Sequence, residues 1–251
     1  MELIVIGSGT GVPSLRRGSP ALAVRAAGRL LLLDLGAGTL RSMLQWGLNF
    51  NEIDLLALSH RHPDHVGDLV PFLFATRYAL GYTRQEPLWL LAARGFAEFL
   101  GRLREAFGPW VEPPEGLMNL KELSPDGPDE MRWEGLTVKS APTNHIDGSL
   151  GFRVEAGSRS LVYSGDTDES DSLIALSQGA DLLVLEAANP VKVPGHLTPA
   201  EAGHLAARAG VRRLLLTHFY PPCDEVDVVA LAAAEFSGEI IRAEDGLKYS
   251  F

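Results

Sequence analysis

Residues 59–68 read SHRHPDHVGD, which places three of the chain's 7 histidines and two aspartates within one short stretch. The apolar run before it, IDLLALS (53–59), has the make-up of a buried β-strand, so His60 stands where that strand gives out. In an extended segment His60 and His62 point the same way, because side chains alternate with period two. A helix beginning near Asp64 projects Asp64 and His65 from its first turn. The loop thereby offers two pairs of ligands to two neighbouring points in space. Imidazole and carboxylate, with no thiolate, suit zinc, manganese or iron.

Other chemistry-bearing residues fall at similar places. Asp166 follows the strand SLVY in SGDT (164–167), and His218 closes LLLTH (214–218). His145 lies in PTNHIDG (142–148) and His196 opens HLTPAEAG (196–203). Strand ends gather at one edge of a sheet, and function collects on such edges. A carboxylate such as Asp166 can serve two cations at once, which in two-metal sites lie ~3.5–4 Å apart. His204 sits mid-helix among alanines and reads as packed or surface, and Cys223 carries no functional signal.

Short apolar runs alternate with helical stretches along the whole chain. Strands are expected at 2–7, 21–28, 29–36, 53–59 and 87–92 in the first half. In the second half they are expected at 117–123, 131–135, 136–143, 150–156, 160–166, 181–187 and 211–218. Helices are expected at 38–47, from Asp64 to about Leu80 with a bend near Pro71, at 94–107 and at 169–178. TPAEAGHLAARAG (198–210) is a further helix with Thr198 as N-cap, Pro199 first, Glu201 three residues after the cap and Gly210 as its stop. Each half supplies strands followed by helices, which suggests two sheets face to face with helices outside. No low-complexity linker divides them, so residues 1–251 are expected to form a single domain. The proline-rich run over 108–130 reads as a surface excursion and a candidate lid.

Composition narrows the classes. With 251 residues, 46% of them hydrophobic, a sizeable core can be buried. No run of ~18 apolar residues appears, so no ordinary membrane span is expected. The start, MELIVIGSGTGVPS, reads as a first strand and a glycine turn and not as a secretion signal. One cysteine allows no internal disulfide or thiolate cage and suits the cytoplasm. The net charge of −10 weighs against nonspecific nucleic-acid binding.

The order His60-x-His62-x-Asp64-His65, then His145, Asp166 and His218, resembles the metallo-β-lactamase superfamily. GSGTGVPS, LLLDLGAGT, SHRHPDHVGDL, YSGDT, HLTPAEAG and LLTHF match its ribonuclease Z and phosphodiesterase branch in order across nearly the whole chain. The resemblance implies an α+β fold, a four-layer αββα sandwich of two mixed sheets with helices on both outer faces. It implies two divalent metal ions, zinc foremost with manganese or iron as alternatives. His60, His62 and His145 would hold one, and Asp64, His65 and His218 the other, with Asp166 bridging.

A hydroxide between the ions would then attack phosphorus or a carbonyl carbon. Asp64 and His196 are the expected catalytic residues, His196 as proton donor to the leaving group. Asp34 is expected to orient a ligand histidine, and Glu186 resembles the acid that pairs with the leaving-group histidine. GSGTG could present amides to a phosphate, although a tight turn explains it as well.

The expected substrate is a small or nucleotide-like phosphodiester. A tRNA 3′-end endonuclease of the ribonuclease Z type is the alternative. It is less favoured because only 21 positions separate His145 from Asp166, too few for a tRNA-gripping arm. An ester or lactone hydrolase, or a metal-binding module without turnover, fits the same residues less well. The resemblance also implies a homodimer.

Overall fold

Strict alternation along each strand decides which layer a side chain joins. The computed structural model describes residues 1–78 and 84–251. The first seven-stranded sheet contains β1 (Glu2–Gly7), β2 (Ala21–Ala26), β3 (Arg29–Leu33), β4 (Ile53–Ala57), β5 (Leu88–Ala93), β6 (Met118–Leu123) and the last strand, β14 (Lys248–Ser250). Between them lie α1 (Thr39–Gln45), α2 (Pro63–Val66), α3 (Leu69–Tyr78) and α4 (Phe96–Phe107). The second sheet holds β7 (Asp129–Trp133), β8 (Leu136–Pro142), β9 (Leu150–Ala156), β10 (Arg159–Tyr163), β11 (Leu182–Glu186), β12 (Arg213–Thr217) and β13 (Glu239–Arg242). Its helices are α5 (Asp171–Ser177), α6 (Pro199–Ala209) and α7 (Val228–Ala233).

Leu3, Val5, Leu31, Leu33 and Leu55 of the first sheet join one apolar cluster with Val138, Phe152 and Val154 of the second. Their neighbours Ile4, Ile6, Leu30, Leu32 and Leu56 face the other way, into a cluster with Phe72, Leu73 and Phe96 of α3 and α4. Burial on both faces explains why these strands read as unbroken apolar runs. The expected α+β sandwich, two mixed sheets with helices outside, is what the chain forms.

The two sheets share one pattern. Antiparallel β1–β2–β3 give way to parallel pairing from β3 to β6, and antiparallel β7 to β10 give way to parallel pairing from β10 to β13. Parallel strands leave their carboxyl ends together, and ligands collect in the crevice beyond such ends. Beyond β3, β4, β10 and β12 stand Asp34, His60, Asp166 and His218, while β11 ends on Glu186.

Two local expectations need correction. The helix expected from Asp64 breaks at Gly67 and Asp68 instead of bending at Pro71, and its end at Leu80 lies outside the described residues. Asp68 is diverted to the start of α1, where its carboxylate accepts from the amides of Gly38 and Leu40 at 2.9 Å each. Pro71 lies in the first turn of α3, where a missing N–H costs nothing. The strand expected over 131–135 runs from Asp129 to Trp133, and Glu134–Gly135, both at positive φ, turn the chain into β8. The run over 108–130 includes β6 and the start of β7, so less of it is irregular than the prolines suggest. Among the described residues, no helix is long and apolar enough to cross a membrane.

The cap expected for α6 is present as a reciprocal box. Thr198 accepts from the Glu201 amide at 3.2 Å, and Glu201 accepts from the Thr198 amide at 2.8 Å. Gly203 lets α6 lie against α7, since a methyl group there would fall 2.4 Å from the carbonyl oxygen of Ala232. Gly203→Ala is therefore expected to cost about 1–3 kcal/mol. At ~2–4 °C per kcal/mol for a chain of this size, calorimetry should show Tm lowered by several degrees.

Candidate metal centre

The site is assembled from loops that leave the carboxyl ends of strands in both sheets, parallel ones except for β8, whose loop carries His145. His60, His65, Asp166 and His218 are buried, His62, Asp64 and His145 half-buried. Three groups of potential ligand atoms result, each with its atoms within 4.8 Å of one another: Asp166–His196–His218, which overlaps the others, and the two main clusters His60–His62–His145–Asp166 and Asp64–His65–His218. Asp166 divides its oxygens between them. Oδ2 lies 3.8 Å from His60 Nε2 and 3.7 Å from His145 Nε2, while Oδ1 lies 3.2 Å from the Nε2 atoms of both His65 and His218. Asp64 Oδ2 completes the second cluster at 3.9 Å from His65 and 3.7 Å from His218.

Hydrogen bonds on the far side of the rings set their tautomers. His65 Nδ1 donates to Asp34 Oδ2 at 2.7 Å, and His145 Nδ1 donates to the Gly195 carbonyl at 2.8 Å. Ser59 donates its hydroxyl to Asp34 at 2.8 Å, so the same oxygen accepts from His60 Nδ1 at 3.0 Å. All three imidazoles thereby turn an Nε2 lone pair inward, as a metal ligand needs. The Nε2 atoms of His60, His65 and His218 and Oδ1 of Asp166 are buried with no hydrogen-bond partner among the described residues. Buried polar atoms are rarely left so, and four of them facing the two clusters fit divalent cations with imidazole and carboxylate donors.

Asp34 does more than orient one ligand. Its carboxylate also accepts from the Ser59 amide and from the Tyr163 hydroxyl, each at 2.7 Å. Asp34 and His218 hold φ of 62° and 61°, a left-handed region in which non-glycine residues are strained. Gly165 sits at φ 58° where a Cβ would meet that of Ser59 at 2.6 Å, so only glycine brings Asp166 this close to the histidine loop.

The electrostatics follow from burial and crowding. Burial pushes the His60 imidazole down to about 2, helped by the neighbouring His65. Burial also opposes charge on His65, but Asp166 and Asp34 override it and hold that imidazole well above its ordinary range. Burial would raise Asp166, yet His218 and His65 keep it well below the usual carboxylate range.

Beside the clusters, His196 Nδ1 donates to Glu186 Oε1 at 3.0 Å, and its ring stacks on His218 with centroids 5.8 Å apart. Burial lifts the Glu186 carboxyl, which is held in turn by the amides of Thr167 at 2.7 Å and Leu197 at 3.3 Å. Burial works against charge on His196, but the hydrogen bond and charge of Glu186, with the charges of Asp166 and Asp64, together outweigh it and raise the imidazole.

Not every singled-out residue joins the site. His204 is exposed on α6, 3.9 Å from Glu169 and 3.8 Å from Glu235. Cys223 is buried, its thiol donating to backbone carbonyls, and burial pushes it up to about 12. The GSGTG loop is a packed turn. The Ser8 amide donates to Asp245 and the Gly9 amide to the Gly18 carbonyl, so neither is open to a phosphate. Ser59 and Tyr163 are the contributors that sequence reasoning missed. The only signal for Tyr163 was a tyrosine at the last position of a buried strand, three residues before Asp166.

Asp34→Ala removes the acceptor for four donors and is expected to lower zinc affinity about 10–100-fold, measured by competition with a chromophoric chelator. Tyr163→Phe should lower it less, because the Ser59 and His65 contacts remain. Wild-type affinity in Asp34→Ala would refute the orienting role.

Comparison with known proteins agrees with this geometry. The family model described as the beta-lactamase superfamily domain matches residues 31–219. A ribonuclease Z of Mycobacterium sp. (strain KMS) is 34% identical, the match spanning 98% of this chain and 94% of that protein. The metallo-beta-lactamase fold protein YhfI of Bacillus subtilis superposes with a TM-score of 0.84 at 26% identity, over 99% of this chain and 98% of that one. The short form of human tRNase Z superposes with a TM-score of 0.81 at 25% identity, over 100% of this chain and 99% of the other. The chain belongs to the metallo-β-lactamase superfamily and is a metal-dependent hydrolase of its ribonuclease Z-like branch.

Proposed function

We propose that this hydrolase cleaves phosphodiesters, with RNA as the favoured substrate class, at a centre of two divalent cations. His60, His62 and His145 would hold one cation, and Asp64, His65 and His218 the other, with Asp166 shared. The observation that carries the reading is the division of Asp166, whose two oxygens face different clusters. The cations would supply charge neutralisation and acidify water to a near-neutral pKa, zinc being the first choice for this donor set.

The chain's own residues supply the rest. Asp34, Ser59 and the Gly195 carbonyl hold the imidazoles in register. Glu186 fixes His196 with its proton on Nδ1 and raises its basicity, so that Nε2 holds a second proton more readily than an isolated imidazole does. A protonated imidazole stacked on His218 is placed to give that proton to a departing oxygen. Asp64 is the second residue with a catalytic part, as an acid kept ionised at the edge of the site. Burial would raise its carboxyl, but His218 and His65 hold it below the ordinary range.

The RNA reading draws its support from the ribonuclease Z relative, which matches at 34% identity along 94% of its own length. The match covers 98% of this chain, which supports RNA despite the short His145–Asp166 segment. That segment is the β9–β10 hairpin, and with the net charge of −10 it leaves a small nucleotide-like diester as the second reading. A 3′-extended tRNA precursor separates the two. Cleavage at the base that precedes the trailer supports the first reading. Turnover of bis-p-nitrophenyl phosphate without precursor cleavage supports the second, and inertness toward both with zinc, manganese and iron overturns the proposal.

His196→Ala is expected to lower kcat about 10²–10⁴-fold. The sign of the pH effect follows from the raised imidazole. A proton donor fails once pH passes its pKa, so the alkaline limb of the kcat profile reports His196. Glu186→Gln removes the group that raises it and should move that limb to lower pH. A limb that stays put would assign the proton to another group.

A further inference from the structure

Next to the metal clusters lies a cavity of about 160 Å³ that shares His60 with the ligand set and has no other lining residue in common with that set or the His196–Glu186 pair. It sits at the carboxyl ends of β4 and β5, where parallel strands open a crevice. Leu58, Ala92, Ala93 and Phe96 give it apolar walls, Arg61 and Asp147 give it polar ones, and His60 is common to the cavity and the first cluster. Arg61 stands between His60 and His62, so in an extended segment its side chain leaves on the side opposite to the two imidazoles. Asp147 belongs to the loop that carries His145.

Size limits the occupant. Whole small ligands need ~300–1,000 Å³, whereas a cavity of ~150 Å³ accommodates one six-membered ring. The polar groups limit it further. Among the described residues, Arg61 and Asp147 make no hydrogen bond or ion pair, whereas Arg94 at the same cavity is paired with Asp126 at 3.3 Å. A second phosphate is disfavoured by the Asp147 carboxylate. The amides of Gly95 and Ala97 at the start of α4 are already taken by Glu122, at 2.9 and 2.8 Å. A guanidinium that donates beside a carboxylate that accepts matches a neutral ring whose edge carries both C=O and N–H.

We propose that this cavity is a base slot, which takes the pyrimidine ring of the nucleotide joined to the scissile phosphate. Arg61 and Asp147 address the ring's edge, and Ala92, Ala93 and Phe96 its faces. The assignment rests on the phosphodiesterase reading and gives it a substrate preference.

The test compares thymidine 5′-(p-nitrophenyl phosphate) with methyl p-nitrophenyl phosphate, which share a leaving group and differ by the nucleoside. Metal-loaded wild type should favour the thymidine ester by roughly tenfold or more in kcat/KM. Ala93→Leu, which fills the slot, and Arg61→Met should each abolish that preference and leave the methyl ester's rate unchanged. Equal kcat/KM for the two esters in the wild type, or a preference that survives both substitutions, overturns the slot while the phosphodiesterase reading stands. If neither ester is hydrolysed, saturation-transfer NMR with uridine alone still decides. Transfer to the ring protons in wild type and its loss in Ala93→Leu support the slot, and no transfer in wild type overturns it. Displacement of uridine by inorganic phosphate at millimolar concentration would mark an anion site and also overturn the proposal.

Discussion

Four donors converge on the carboxylate of Asp34, and the rest of the site hangs from that contact. Asp34 follows β3 of the first sheet, Ser59 follows β4, His65 belongs to α2, and Tyr163 ends β10 of the second sheet. One buried acceptor therefore ties both sheets and the histidine loop together directly behind the ligand atoms. A buried carboxylate costs little only when such donors are aimed at it. The left-handed φ that Asp34 adopts is the local strain accepted for that aim.

Burial of charge then makes the centre a place for cations. Asp34, Asp166 and Glu186 are almost fully removed from solvent, and among the described residues no lysine or arginine pairs with them. Their partners are imidazoles, amides and hydroxyls, and of these carboxylate oxygens Oδ1 of Asp166 is left facing the clusters without a hydrogen bond from a described residue. Basic side chains are used elsewhere. Arg17 is buried over Phe219, bonds Ser8, the Ala243 carbonyl and Asp224, and so fixes the glycine loop that passes Asp64.

Much of this was legible beforehand. The ligand candidates were readable because buried parallel strands are long apolar runs, so the polar residue that ends each run stands out. His60, Asp166 and His218 are all of that kind, and the reciprocal cap at Thr198 and Glu201 was readable for its fixed spacing. Ser59 and Tyr163 were not, because serine and tyrosine at a strand end are ordinary, and only their distance to Asp34 sets them apart. The break at Gly67 and Asp68 was hidden because Asp68 caps a helix about thirty residues earlier in the chain. The tail after His218 yields α7, β13 and β14 from pieces of three to six residues, which are too short to show a period.

By itself the sequence determined the layer order and the kinds of atom available for ligation. Both follow from local pattern, apolar alternation for the first and residue type at strand ends for the second. Only the tertiary structure decided which atoms share a cation's reach. Asp166 lies about a hundred residues from His65 and fifty from His218, yet it comes within 3.2 Å of both. That proximity arises where two separately wound sheets present their carboxyl edges to each other. Ring tautomers, the donors on Asp34 and the cavity behind His60 are products of the same meeting. No local pattern encodes them, because each depends on a distance between residues that are remote in the chain.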